Sequence, residues 1–380
     1  MLEKPVNGLS VNLHGQHVGT LAQTQEGTVA FQYSQDWLRN GFSISPRSLP
    51  LDSRVYVADW QPFGGLFGAF HDSLPDGWGA LLLDRMLAKQ GYDPSTIGPL
   101  TRLAIVGSDG RGALEYIPQA DFPRQELPLN LDELARNCAD ILADKEVDNL
   151  DTVYAAGGSS GGARPKTYYE LDGESWLVKF PSRFDPPNIG QIEFAYMECA
   201  KQCGIIVPDV RVLPSKEHDG FFAVKRFDRQ GKEKTRVHML SASALLEVSH
   251  RVPALDYRSL FQLSYFLTGQ RAEANQLFRR TCFNVFAHNH DDHSNNFTWL
   301  CKDGAWELSP AYDLTYSSTQ FGGHTTTVLG NANPGMVELL ALAKEVGLPA
   351  KDAKRIARKI QDACHTMLVK LELPTGNPQT

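Results

Sequence analysis

In the stretch HNHDDHSNNF, His288 to Phe297, Asp291 and Asn296 stand five positions apart, and a further acid, Asp313, closes the downstream LSPAYD. One carboxylate to orient a hydroxyl, with an amide and a second carboxylate as oxygen donors to a divalent ion, is a minimal set for phosphoryl transfer. The same stretch offers metal-assisted hydrolysis as another reading, because His288, His290, Asp291, Asp292 and His293 crowd into six positions. Imidazole and carboxylate ligands suit Zn²⁺, Mn²⁺ or Fe²⁺. Against it, adjacent residues rarely converge on one ion, and no second histidine-rich cluster occurs in the chain.

The elements that would position these groups lie upstream. AAGGSSGGARPKTYYE, Ala155 to Glu170, carries Gly157, Gly158, Gly161 and Gly162. Glycines let backbone N–H groups turn toward an anion without a Cβ clash. The string matches neither the P-loop pattern nor G-x-G-x-x-G, and a plain hairpin tip is its other reading. In SWLVKF, Ser175 to Phe180, the alternation of Trp176, Val178 and Phe180 with Leu177 and Lys179 predicts a strand. Lys179 then points away from the three bulky residues, toward either a phosphate or solvent. QIEFAYMECAKQCG predicts a helix that stops at Gly204, with Glu193 as the candidate partner of Lys179. A further strand is expected in GFFAVKRFDR, Gly220 to Arg229, then mostly helix from about Ser241 to His288. Protein kinases use the same order of glycine loop, lysine strand, acidic helix, hinge strand and Asp-x4-Asn loop, followed by a metal-binding Asp.

At this level of detail the chain resembles the HipA family, the serine/threonine-kinase toxins of HipBA toxin–antitoxin modules. The resemblance covers nearly the whole chain. It is carried by SSGGARPK (Ser159 to Lys166), WLVKF (Trp176 to Phe180), the pattern around Glu193, VKRFDR (Val224 to Arg229), NHDDHSNN (Asn289 to Asn296) and SPAYDL (Ser309 to Leu314). Earlier, VNLHGQHVGTL (Val11 to Leu21), SLPDGWG (Ser73 to Gly79) and VGSDGRGAL (Val106 to Leu114) fit the family's amino-terminal part.

The resemblance implies an α+β, HipA-like kinase fold, with a strand-rich N-terminal domain and nucleotide lobe followed by an all-helical C-terminal lobe. It implies ATP and Mg²⁺ as cofactors and a protein Ser/Thr hydroxyl, on a translation factor for example, as acceptor. Asp291 would orient and deprotonate that hydroxyl, and Asn296 and Asp313 would hold Mg²⁺. Ser160, Gly161, Gly162, Ala163, Arg164, Lys166 and Lys179 would surround the phosphates, and His293 would lie beside the nucleotide. Lys225 and Phe227 would hold the adenine. Glu193 would pair with Lys179. Ser159, or its neighbour Ser160, would be autophosphorylated, which shuts the enzyme off by adding negative charge where ATP phosphates sit. A HipB-like helix-turn-helix antitoxin is the implied partner, with nucleic acid met only through it. Two departures stand out. Asn295 occupies a position that is basic in many relatives, and Lys225 one that is acidic in some. The chain is also shorter than many relatives, which implies trimmed loops. A catalytically weak pseudo-kinase that senses nucleotide for a DNA-binding antitoxin, and a small-molecule kinase, are the alternatives on the same fold.

Composition agrees. The chain has 380 residues and a formal net charge of −7, which argues against direct nonspecific binding to nucleic acid. No run approaches the roughly 18 apolar residues of a membrane helix, and MLEKPVNG lacks a signal-peptide core, so a cytoplasmic protein with no membrane contact is expected. Six cysteines lack paired spacing, and Cys199 and Cys203, one helical turn apart, read as core thiols. The organisation expected is an N-terminal domain over 1–124, a connecting helix within 125–150, a nucleotide lobe over 151–235 and a helical catalytic lobe over 236–380. One strong helix is expected over Gly77 to Gly91, and the GNPQT tail is expected to fray.

Overall fold

A computed structural model of the protein describes residues 5–120, 130–158, 160–319 and 322–368. Ser159, the boundary near residue 124 and the GNPQT tail lie outside these. The class is α+β, built on two antiparallel sheets and a largely helical lobe.

The first sheet runs, edge to edge, through Tyr56–Val57, Val29–Tyr33, Gln16–Gln23, Gly8–Leu13 and Leu114–Ile117. Its first hairpin turns at His14–Gly15, both with positive φ, as the LHGQH pattern demands. Alternation puts Leu9, Val11, Leu13, Leu21 and Phe31 into the core. The second sheet has the order Lys166–Leu171, Glu174–Lys179, Phe221–Lys225, Val210–Leu213. The predicted lysine strand is its second member. Trp176, Val178 and Phe180 are fully buried on one face, and Lys179, paired in register with Lys166 and Phe222, projects from the other. The helix Ile189–Gln202 packs on the strand Phe221–Lys225, and Gly204 ends its turn at φ +78°.

The helix Gly77–Lys89 forms where expected, with Gly91 behind it at φ +83°. Its apolar face (Trp78, Leu82, Leu83, Met86) shares a core with Trp176, Val178 and Phe180 of the second sheet, and with the helices Leu131–Leu142 and Leu150–Gly157. The glycine stretch therefore leaves the end of a helix. The hairpin-tip reading is set aside, because the chain reaches the strand at Lys166 only after a loop.

The C-terminal lobe is built on the helices Tyr257–Thr268, Arg271–Phe286, Met336–Glu345 and Ala350–Met367. The expectation of an all-helical lobe is corrected. His238–Ser241, Thr298–Lys302 and Ala305–Leu308 form an antiparallel three-stranded sheet, and Leu255–Asp256 pairs in parallel with Thr326–Thr327. These strands are only two to five residues long, too few positions for period-2 patterning to mark them. A single apolar core joins the first sheet to this lobe, and all six cysteines are free and buried. Among the described residues no helix is long and apolar enough to cross a membrane.

Candidate active site

The cleft between the second sheet and the C-terminal lobe has a volume of about 590 Å³, within the usual range of small-molecule sites. It gathers Ser160, Gly161, Gly162, Ala163, Arg164, Lys166, Lys179, Lys225, Phe227, Asp291, His293, Asn296 and Asp313, all singled out by sequence. Glu193 stands directly behind Lys179.

Lys179 is the centre of its charge network. Its Nζ lies 2.9 Å from Glu193 Oε2 and also donates to Asp313 Oδ1. Glu193, buried on its helix, takes Arg164 Nη1 at 2.5 Å with its other oxygen, and Arg164 Nη2 reaches Asp185 at 2.9 Å. Burial works against the charge on Lys179, but Asp313 and Glu193 outweigh it and raise its affinity for the proton. Burial likewise pushes Asp313 up, yet Lys179, Lys166 and Arg164 hold it well below the usual carboxylate range. Lys166 is different. Burial dominates, Asp313 opposes it and Lys179 reinforces it, bringing Lys166 down to about 8.

The catalytic loop is built from backbone outward. His288 takes a left-handed φ of +53°, and His290 N–H donates to Ser317 O at 3.2 Å. Asn289, buried, donates from Nδ2 to Asp313 O and to Asn284 Oδ1, each at 3.1 Å, so one amide ties the Asp291 loop to the Asp313 loop. Tyr312 hydroxyl adds a second tie, donating to Asn295 O at 2.6 Å. Asn296 Nδ2 donates to the carbonyl of Asp291 at 2.7 Å, which leaves its amide oxygen without a protein donor among the described residues. The Asp291 side chain is open to the cleft, with His293 Nε2 at 3.8 Å. Partial burial raises its proton affinity; His293 opposes that, and Asp313 and Asp292 add to it.

The neighbouring acid does a different job. Asp292 is fully buried and accepts from Tyr257 hydroxyl at 2.7 Å and Thr326 N–H at 3.1 Å, with His324 Nδ1 at 2.9 Å. The histidine and acid cluster is thereby split between cleft and core. Among the described residues no three His, Cys, Asp or Glu side chains come together to hold a metal ion, so the hydrolase reading lacks its ligand set.

Several placements were not foreseen. The Lys225 ammonium pairs with Glu174 at 2.5 Å, and its register opposite Trp176 turns the side chain off the cleft face, which Phe222 and Val224 of the same strand line with their side chains. Phe227 packs on Tyr312 with ring centroids 5.6 Å apart. Ser160 hydroxyl donates inward to Gly157 O at 2.6 Å. Asp76 and Arg111, from the amino-terminal part, also line the cleft. Asn295 Nδ2 lies 3.3 Å from Asp76 Oδ2 and donates to His250 Nδ1 at 3.1 Å, where burial, reinforced by His293, brings His250 down to about 4 and keeps the ring neutral. The quoted L-P-D-G and G-R-G-A-L segments were the only sequence signals for Asp76 and Arg111.

Residues 158–368 match the family model of the HipA-like C-terminal domain, and residues 9–117 match that of the HipA N-terminal domain. The chain belongs to the HipA family. It is 25% identical over 366 residues to Y4dM of Sinorhizobium fredii, a protein named as a candidate kinase, covering 91% of this chain and 86% of that one. It is 23% identical to the serine/threonine-protein kinase toxin HipA of Shewanella oneidensis, covering 96% and 90%. The fold matches the solved Shewanella oneidensis complex of HipA, HipB and operator DNA with a TM-score of 0.69 at 20% identity, over 96% of this chain and 92% of that one.

Proposed function

We propose that this HipA-family chain is an ATP- and Mg²⁺-dependent serine/threonine-protein kinase, the toxin of a toxin–antitoxin pair. The observation that carries the reading is the convergence of Lys179, Glu193, Asp313, Asn296 and Asp291 on one cleft beneath a glycine loop. The residues present fit the cofactors. An amide oxygen that has no protein donor among the described residues and a carboxylate held ionised are hard donors of the kind Mg²⁺ takes. Asn296 and Asp313 would hold the ion, which when bound supplies charge neutralisation on the phosphates.

The chain's own groups do the rest. Lys179, fixed by Glu193, presents an ammonium to the phosphates. Lys166 and Arg164 add positive charge at the loop. Asp291, open to the cleft, aligns the acceptor hydroxyl and takes its proton, with His293 beside it. The acceptor is proposed to be a cytoplasmic protein such as a translation factor. Autophosphorylation of Ser159 is proposed as the off-switch; Ser160, whose hydroxyl faces inward, is the less favoured site. A HipB-like antitoxin is the proposed partner, supported by the HipA, HipB and operator DNA composition of the similar structure.

The test is purified protein with labelled ATP and Mg²⁺, wild type beside Asp291→Asn, with phosphosites mapped. Label in the wild type and a loss of about a thousandfold or more in Asp291→Asn, with ATP binding retained, is expected. A fully active Asp291→Asn protein sinks the assignment. Bound ATP without protein label in the wild type points instead to a pseudo-kinase or a small-molecule acceptor.

A further inference from the structure

The glycine loop is gripped from two sides. From within, Lys166 Nζ donates to Gly161 O at 2.6 Å. From outside, it is gripped by a segment of the amino-terminal part that lies far earlier in the chain. Asp76 Oδ1 accepts the Gly162 N–H, Trp78 N–H donates to Gly162 O at 2.9 Å, and Trp78 Nε1 donates to Lys166 O at 3.2 Å. Gly162 thus has both its backbone N–H and its C=O bonded to this one segment.

The approach is backbone against backbone. A Cβ on Gly77, whose φ is +43°, would lie 2.5 Å from Gly162 O, and a Cβ on Gly79 would collide with Ser160 O. Both glycines of D-G-W-G are needed for the contact to form at all. The second oxygen of Asp76 reaches across the cleft to Asn295 Nδ2, one residue before Asn296. A single carboxylate therefore spans the glycine loop and the catalytic loop. Arg111 lies alongside and offsets the charge of Asp76.

We propose that residues 76–79 are a latch that holds the glycine loop over the cleft, and that Asp76 is a positioning residue setting the spacing between that loop and Asn296. This rests on the kinase reading for its consequence in turnover, not for its structural part. With the latch engaged the loop is held against the cleft. With it broken the loop keeps its inner bonds, from Lys166, from the Ser160 hydroxyl and from Arg164 to Glu193 and Asp185. The amino-terminal part thereby governs when the cleft is complete.

The experiment is hydrogen–deuterium exchange on the full chain without nucleotide, read on peptides spanning 161–168, together with steady-state kinetics in MgATP. Asp76→Ala should speed exchange of these amides by about tenfold, the equivalent of one charge-assisted hydrogen bond, and raise KM for MgATP more than it lowers kcat. Asp76→Asn keeps an acceptor for Gly162 N–H and should restore most of the protection. Asn295→Ala should leave loop exchange at the wild-type rate while lowering kcat. If Asp76→Ala does not fold, the last two variants carry the test. Unchanged exchange in Asp76→Ala, or faster loop exchange in Asn295→Ala than in Asp76→Asn, overturns the latch. The exchange measurement needs no turnover, so a failed kinase reading and a failed latch give different results.

Discussion

Glu193→Ala is the most exacting perturbation of the site, because Glu193 holds two cations from a buried position. Its carboxylate receives Lys179 at 2.9 Å and Arg164 at 2.5 Å. Removing one partner of a buried ion pair costs about 3–5 kcal/mol, mostly from the charge left behind. Here each cation keeps a second partner, Asp313 for Lys179 and Asp185 for Arg164, which places the loss near the lower bound, about 3 kcal/mol. Urea unfolding followed by tryptophan fluorescence measures it, provided the slope of the transition is unchanged. Lys179 would then swing toward Asp313, and a displacement on the order of 1 Å lowers kcat/KM by roughly a hundredfold. The double variant Lys179→Met/Glu193→Leu should recover stability without recovering activity, since well-packed apolar residues often replace a buried pair without loss. A stability change below about 1 kcal/mol in Glu193→Ala, the range of an exposed pair, would refute the claim that this network is buried and coupled.

Other outcomes follow from neighbouring groups. Lys166, brought down to about 8 by burial, is mostly charged at pH 7 and mostly neutral at pH 9, so KM for MgATP should rise as pH climbs through 8, while Lys166→Arg should give a flat profile. The linked stability runs the other way. An unfolded lysine keeps its proton to about 10.5, so between 8 and 10.5 this group makes the folded chain more stable as pH rises. Asp291 and Asp292, adjacent in sequence, should behave as opposites. Asp292→Ala strips a buried acceptor from Tyr257, His324 and Thr326 and should cost about 3 kcal/mol in denaturant unfolding, whereas Asp291→Asn should leave the midpoint nearly unchanged.

The parts legible in the sequence were local. Trp176, Val178 and Phe180 announced both the strand and the face from which Lys179 emerges, and Gly91 and Gly204 marked helix ends by the left-handed turn each must make. Asp-x4-Asn is a spacing within one loop, so it too could be seen. The hidden parts were contacts between distant segments. Asp76 meets Asn295 across 219 positions, and no periodicity announces such a pair. Asp292 looked like a ligand because it sits among histidines, yet a single step along the loop turns it into the core toward Tyr257. The strand His238–Ser241 escaped notice because its partner, Thr298–Lys302, lies beyond the catalytic loop. Lys225 was read by position, while its facing was decided by register against Trp176.

The burial of every cysteine has a consequence for how this molecule meets its surroundings. A thiol shielded from water is a poor target, and burial pushes the Cys138 and Cys282 thiols further toward their protonated form, so oxidants and alkylating reagents find little handle on these sulfurs in the native fold. Each sulfur becomes reactive only when the core around it opens. Cys138 marks the helices beneath the second sheet, and Cys199, Cys203, Cys282, Cys301 and Cys364 mark the core shared by the first sheet and the C-terminal lobe. The protein thus carries its own set of internal clocks. The rate at which each thiol takes up a reagent times the breathing of one layer, and the order in which they react is the order in which the layers come apart.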